Sequence, residues 1–367
     1  MVARVFLAHQ INSLCKTYNV SIITNMRGKS NFLDNISDKV VIIDLPIKRN
    51  INLFSDFYVL FLLIILLRKN KFSLVHSVSP KAGLLTAISA WIVRIPNRLH
   101  TFTGQVWVTK KGISRWLLKS LDRLIIILNT KILVDSISQK EFLIEENLIN
   151  AENALVLGSG SLSGVDLQRF KPSNEEREAV RKKLNIPSNC VVFLFVGRIK
   201  KDKGVFELVR AFKNISKNNS NTILLIVGPD EDNLVNELTN ILNLSVKYTR
   251  FIDFTKTPEI YMMASDIFVI PSYREGFGSV VIEAASCGVP SVGSDIYGLS
   301  DSIKDGETGI LIPAKSEKDL EEAMIKLLDN DNLRIKMGNM SLHHARDNFS
   351  QDKITMLLIK LYERIIL

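Results

Sequence analysis

The sequence predicts an α/β protein made of two doubly wound domains, on three observations. The chain has 367 residues, enough for two domains of ordinary size. Short β-rich runs alternate with amphipathic stretches of helical length, the pattern of parallel sheets with helices on both faces. Those runs form two sets of six, parted by the polar stretch 171–189, KPSNEEREAVRKKLNIPSN, which carries Pro172 and Pro187 near its ends.

In chain order, strands are expected at 20–24 (VSIIT), 40–44 (VVIID), 73–77 (SLVHS), 98–102 (RLHTF), 131–135 (KILVD) and 154–158 (ALVLG). The second set is 191–196 (VVFLFV), 222–227 (TILLIV), 246–251 (VKYTRF), 266–270 (DIFVI), 290–294 (PSVGS) and 309–313 (GILIP). Helices such as 113–128 and 316–330 lie between them. The domains are therefore placed at 1–170 and 190–349, with 171–189 as a linker and the amphipathic helix 350–367 returning to the first domain. Residues 5–18 read as a helix, so residues 1–4 leave no room for the strand and glycine loop that should open a doubly wound domain. That predicts a short or missing first strand.

Composition narrows the function classes. Hydrophobic residues make up 46% and charged residues 23%, ordinary for a globular protein with a sizeable core. The three cysteines, Cys15, Cys190 and Cys287, form no CxxC or Cys/His spacing, which argues against a disulfide framework or a zinc site and for a reducing cytosol. Charge is unevenly placed. Residues 1–170 hold 21 basic and 11 acidic side chains, the remainder 26 and 27. An anionic partner for the first half is implied: nucleic acid, an anionic membrane surface or a phosphorylated substrate. No helix-turn-helix, RNP-like strand or zinc motif accompanies the charge, so nucleic acid is not expected. The apolar segment 57–67, FYVLFLLIILL, has eleven residues against the about 20 that a membrane span needs. It reads as a buried core helix, with a membrane-surface element as the second reading. No basic region, apolar run and cleavage site open the chain, so no signal peptide is expected.

Two stretches carry chemistry. In VVFLFVGRIKKDKGVFELVRAF (191–212) a strand ends at Gly197, and Arg198 and Lys203 lie on the loop that leads into a helix. A guanidinium fork and a mobile ammonium there suit a diphosphate; the alternative is two solvated surface charges. In PSYREGFGSVVIEAASCGVPSVGSD (271–295) the glycines Gly276 and Gly278 form a turn, and Ser279 opens a helix that Gly288 and Pro290 end. The N–H groups of Gly278, Ser279 and Val280 make an anion site at that helix start. Glu275 precedes the turn and Glu283 lies one turn into the helix, where the two carboxylates could bracket a nucleotide sugar, Glu283 on the ribose diol and Glu275 nearer the sugar; the alternative is a capping acid and a helix-surface acid. Asp230-Glu231-Asp232 spells the Asp-x-Asp of metal-dependent transferases, and is read as a solvated acidic loop.

These residues resemble a known family. Gly-Arg-x4-Lys-Gly (197–204), Glu-x7-Glu (275–283), PSYREGFG, EAASCGVPSV and DGETGILIP are similar to the retaining GT-B glycosyltransferases of family four. HSVSPKAGLL (76–85), HTFTGQVW (100–107) and LVDSISQKEFLIEE (133–146) resemble its bacterial capsule and O-antigen branch. The resemblance implies two Rossmann-like doubly wound domains facing across a cleft, no cofactor and no bound metal. It places Arg198 and Lys203 on the donor diphosphate, Glu283 on the ribose and Glu275 on the donor sugar, with Phe277 of the same turn among the substrate contacts. The nucleotide diphosphate would leave from the front face and help deprotonate the acceptor hydroxyl. Where the family often carries Thr-x-His-Gly, this chain has Thr101-Phe102-Thr103-Gly104. Thr103 and Gly104 thus take the histidine's place, while His100 fits either the strand core or the cleft. Lys81 in SVSPKAG is a candidate acceptor or diphosphate contact, and Trp107, beside Lys110 and Lys111, is either a sugar platform or an anchor. The implied acceptor is a lipid-diphosphate-linked saccharide, met by a cytoplasmic enzyme peripheral on the inner face of the membrane. A relative without transferase activity, such as an epimerase or a chain inactivated by its short start, is the alternative.

Overall fold

The computed structural model describes residues 7–26, 36–48 and 52–366. The expectations about residues 1–4 and a missing first strand lie outside the described residues. The chain divides into two compact units, Met1–Gly164 with Gln351–Leu367, and Val165–Ser350.

The first unit contains α1 (Ala8–Leu14), β1 (Ser21–Thr24), β2 (Val41–Asp44), α2 (Leu53–Asn70), β3 (Leu74–Ser77), α3 (Pro80–Val93), β4 (Asn97–Phe102), α4 (Gly112–Leu128), β5 (Lys131–Val134), α5 (Ile137–Glu145) and β6 (Ala154–Val156). Strands β3 to β6 form a parallel sheet in chain order, and β1 and β2 a separate parallel pair. The strand period of two sorts the core. Leu99 and Leu133 pack on the C-terminal helix, whose Ile354 and Leu358 join the same cluster. Phe102, Ile132 and Val134 face the other way, onto Trp107, Ile125 and Leu143.

The second unit contains α6 (Asn174–Lys183), β7 (Val191–Val196), α7 (Val205–Asn218), β8 (Thr222–Val227), α8 (Val235–Leu242), β9 (Thr249–Ile252), α9 (Pro258–Met263), β10 (Ile267–Ile270), α10 (Ser279–Ser286), β11 (Ser291–Ser294), α11 (Leu299–Ser302), β12 (Gly309–Ile312), α12 (Glu317–Leu328) and α13 (Asp331–Phe349). Helix α14 (Gln351–Ile366) then belongs to the first unit. The six parallel strands run β12-β11-β10-β7-β8-β9. Successive strands step outward from β7 on one side and from β10 on the other, so the order reverses between β7 and β10. Phe193, Phe195, Leu224 and Ile226 fill one face of this sheet, and Val192, Leu194, Leu225 and Phe268 the other.

The segment 171–189, expected as a linker, is instead part of the second unit, whose boundary falls at Gly164 and Val165. Ser173 caps α6 through the Glu176 N–H, acidic residues fill its first turn and basic residues its last, all favourable for the helix dipole. The inward arginines explain why so charged a helix packs. Arg177 and Arg181 each donate to the Asp266 carboxylate at 2.6 Å, and Arg181 also reaches the Ala264 and Cys190 carbonyls. Ile186 and Cys190 then continue into the core.

Candidate active site

In an open parallel sheet the place where strand order reverses leaves a crevice at the carboxyl ends of two neighbouring strands, and ligands bind there. Here those strands are β7 and β10, and the loops leaving them are the two stretches singled out above. The loops are in backbone contact. Gly204 has φ 68°, and a Cβ there would collide with the Pro271 carbonyl, so only glycine fits. Tyr273 N donates to the Asp202 carbonyl at 2.9 Å. The Tyr273 hydroxyl donates to Glu207 Oε1 at 2.7 Å, and Arg274 lies 3.5 Å from Asp202. Lys315 sits over the Tyr273 ring, 4.9 Å from its centre.

This clamp brings Lys203 and Glu275 together from opposite loops. Lys203 Nζ lies 2.5 Å from Glu275 Oε1, and the same oxygen accepts from Ser272 Oγ at 2.8 Å. Arg198 pairs with Glu231 at 3.0 Å, and Lys200 with Asp232 at 3.2 Å. Both cations predicted to hold the diphosphate are thus partnered by carboxylates. An anion bound by these cations would exchange with those carboxylates rather than fill an unbalanced positive hole.

The acidic loop is not merely solvated, as expected, but engaged at each position. The Asp230 carboxylate accepts from the Leu234 and Val235 N–H groups at the start of α8, while Glu231 and Asp232 pair with Arg198 and Lys200.

The glycine turn leads into α10. Gly278 adopts φ 77° at its N-cap position, with no side chain capping the helix. The Val281 N–H already bonds the Gly278 carbonyl at 2.8 Å. The N–H groups of Gly278, Ser279 and Val280 have no acceptor among the described residues, which suits an anion. Phe277, expected among the substrate contacts, is a correction: its side chain is 2% exposed and packs at a steep angle on Phe349. It anchors the turn because the strand-to-helix reversal directs it into the core.

Glu283 lies one turn into α10. Burial raises its carboxyl from 4.5 to about 8, outweighing the nearby Arg169 guanidinium, and Glu259 adds to the rise. Arg169 is itself held 2.6 Å from both Glu259 Oε2 and the Lys256 carbonyl. A carboxyl neutral at pH 7 can both donate to and accept from a diol. Arg169, Tyr273 and Glu207 were missed by the sequence reading. Tyr273, two residues before Glu275, and Glu207, one turn into the helix after Gly204, were adjacent to the motifs, but their pairing joins loops 66 residues apart.

The first-unit candidates divide differently. His100 is 1% exposed, accepts or donates at 2.8 Å with Ser77 Oγ, and meets Phe102 edge-on. Its ring packs so tightly on Gly83 that a Cβ there would overlap it. Burial, then the neighbouring His76, lowers it to about 3, so it is a neutral core histidine and not a cleft residue. Trp107 is also 1% exposed, stacks on Phe142, and donates through Nε1 to Asp122 at 2.8 Å. It is an anchor, not a sugar platform. Lys81 is held by Asp56 at 2.6 Å, across α2 and α3. Thr103 and Gly104 follow directly on β4, with Thr103 partly exposed and Gly104 at φ 97°.

A Rossmann-ordered unit with paired cations and carboxylates at its switch point, in one chain with a second parallel α/β unit, fits a GT-B architecture. Residues 176–343 match the sequence profile of the family described as glycosyl transferases group 1. The chain is 33% identical over 348 residues to the capsular polysaccharide biosynthesis glycosyltransferase CapM of Staphylococcus aureus, covering 95% of this chain and 90% of that protein. It is 29% identical over 330 residues to the UDP-Gal:alpha-D-GlcNAc-diphosphoundecaprenol alpha-1,3-galactosyltransferase of Escherichia coli, covering 88% and 83%. Sucrose-phosphate synthase of Thermosynechococcus elongatus superposes with a TM-score of 0.82 at 22% identity over 97% of this chain and 92% of that one. Anabaena HepE in complex with UDP and glucose gives 0.79 at 18% identity over 97% and 95%. The chain belongs to the group 1 glycosyltransferase family, with a GT-B fold, and is a glycosyltransferase.

Proposed function

We propose that the protein moves a sugar, with retention of configuration, from a nucleotide-diphosphate sugar to a polyprenyl-diphosphate-linked saccharide in capsule or O-antigen assembly. The observation that carries this reading is the Lys203–Glu275 pair at the switch point, beside the open start of α10. The names of the S. aureus and E. coli relatives support the polysaccharide pathway and the lipid-linked acceptor. A UDP-linked donor is favoured by the E. coli relative and by the UDP in HepE.

In this reading the diphosphate displaces the carboxylates from Lys203 and Arg198 and takes the α10 N–H groups. The bond between the anomeric carbon and the diphosphate oxygen breaks, and the acceptor oxygen bonds the same face of that carbon. The acceptor hydroxyl proton passes to the departing diphosphate. Lys203, Arg198 and the helix start stabilise the charge that develops on it, the role a metal ion would otherwise fill, so no metal is required. Glu275 positions the donor sugar and Glu283 the ribose. The basic first unit faces anionic lipid on the cytoplasmic side of the membrane. No helix among the described residues is long and apolar enough to cross a membrane.

The test is a panel of nucleotide sugars incubated with lipid-diphosphate-linked acceptor, with and without chelator. The expected result is nucleotide diphosphate released only when acceptor is present, unchanged by chelator. Release without acceptor, interconversion of the donor sugar, or activity that vanishes with chelator and returns with manganese would overturn the reading.

A further inference from the structure

Two helices of the first unit carry an apolar stripe too many. In α2 the stripe Val59, Leu63, Leu67 is buried. A second stripe, Phe54, Phe57 and Phe61 at i, i+3 and i+7, points to solvent, and Phe54 is 91% exposed. In α4 Ile125 and Leu128 are buried, while Ile113, Trp116 and Ile127 are outward, with Ile113 84% exposed. The two helices flank α3, which packs against both. Isolated exposed apolar side chains are ordinary on a protein surface, but rows of aromatic and branched residues on neighbouring helices mark a docking face.

The charge around the stripes identifies the occupant. Helix α2 ends in Arg68 and Lys69, followed by Lys71, and Lys110 and Lys111 immediately precede α4; all five are exposed and have no acidic partner among the described residues. Each helix has a single acid, and both are used inward. Asp56 pairs with Lys81 at 2.6 Å, and Asp122 is buried on the Trp107 Nε1–H. What remains outward on the two helices is apolar, neutral polar or cationic, with no acid among it. A second copy of the same face would set like charges against one another, whereas an anionic lipid surface accepts both features.

We propose that the outer faces of α2 and α4 form one docking surface that inserts into an anionic bilayer, with the aromatic and branched side chains below the headgroups and the lysines and arginines among them. This deepens the reading above, on which the lipid-linked acceptor rests. It differs from binding by net charge alone, because it assigns the hold to particular apolar side chains.

The experiment is flotation of the full chain with phosphatidylcholine vesicles, with and without phosphatidylglycerol, for the wild type, Phe57→Ser/Phe61→Ser, Ile113→Ser/Trp116→Ser and Lys110→Glu/Lys111→Glu. The replaced side chains are outward, and unchanged melting temperatures check that each variant folds. The wild type should float only with phosphatidylglycerol, and each variant should lose partitioning by about tenfold or more. Light scattering should give the same mass for all four proteins. Transfer to a short-chain, water-soluble lipid-diphosphate acceptor should be the same in all four. A wild type that stays in solution, serine variants that float as well as the wild type, or variants that turn a dimer into a monomer would overturn the docking surface. Flotation as described with no transfer to the soluble acceptor would sink the catalytic reading and leave the docking surface standing.

Discussion

The two units place comparable sequence signals in opposite ways. In the second unit the loops at the carboxyl ends of β7 and β10 present Lys203 and Glu275 to one another, and Arg198 meets Glu231 from the loop after β8. In the first unit the candidates near the carboxyl end of β4 turn inward: His100 and Trp107 are core side chains, while Phe54 and Phe57 on α2 and Ile113 and Trp116 on α4 are exposed. The difference teaches that a polar or aromatic residue near a strand end becomes a site only where the neighbouring loop returns a partner to it. At the switch point, chain leaves the sheet in two directions and the loops meet. Along β3 to β6 the crossover helices pack on the strands to either side of them in the chain, α3 on β3 and β4 and α5 on β5 and β6.

Four variants would break or sharpen that contrast. The largest effect is structural. Asp266→Ala leaves Arg181 buried without its acid and should cost about 3–5 kcal/mol, read as a lower denaturation midpoint. A loss under about 1 kcal/mol would show that α6 is peripheral to the second unit. Lys203→Ala should come next, with kcat/KM lower by roughly 30- to 1,000-fold, about 2–4 kcal/mol, and an unchanged melting temperature. Near-normal turnover would remove the diphosphate from that loop. In the first unit Trp107→Phe should do the reverse. It strands the buried Asp122 carboxyl and should cost about 1–3 kcal/mol of stability, yet leave transfer per folded molecule intact. Lost turnover without lost stability would return Trp107 to the sugar. The smallest is Tyr273→Phe, which removes the hydroxyl bond to Glu207. About 1 kcal/mol, or fivefold in kcat/KM, is expected from loosening the loop that carries Glu275.

Glu283 provides a pH test. Its carboxyl titrates at about 8 when folded against 4.5 as the ordinary value. Between those values the native state holds a proton that the unfolded chain has released, so its contribution to stability falls as pH rises through that window and is fully present below it. Glu283→Gln should flatten that decline in melting temperature. A decline equally steep in the variant would mean that the carboxyl is not buried as described. Glu283→Ala should weaken donor binding by calorimetry; an unchanged affinity would end its ribose role.

What the sequence determined by itself was local. Strand runs, the glycine turn at Gly276 and Gly278, and the loop positions of Arg198, Lys203 and Glu275 could be read because strand period and turn chemistry are properties of a few adjacent residues. The tertiary structure decided the rest. It alone put Lys203 on Glu275 across 72 residues, turned His100 and Trp107 inward, and drew the charged helix α6 into the second unit through Asp266. The physical reason is that a side chain's direction follows from its own backbone, but what it meets depends on which distant element packs over that face.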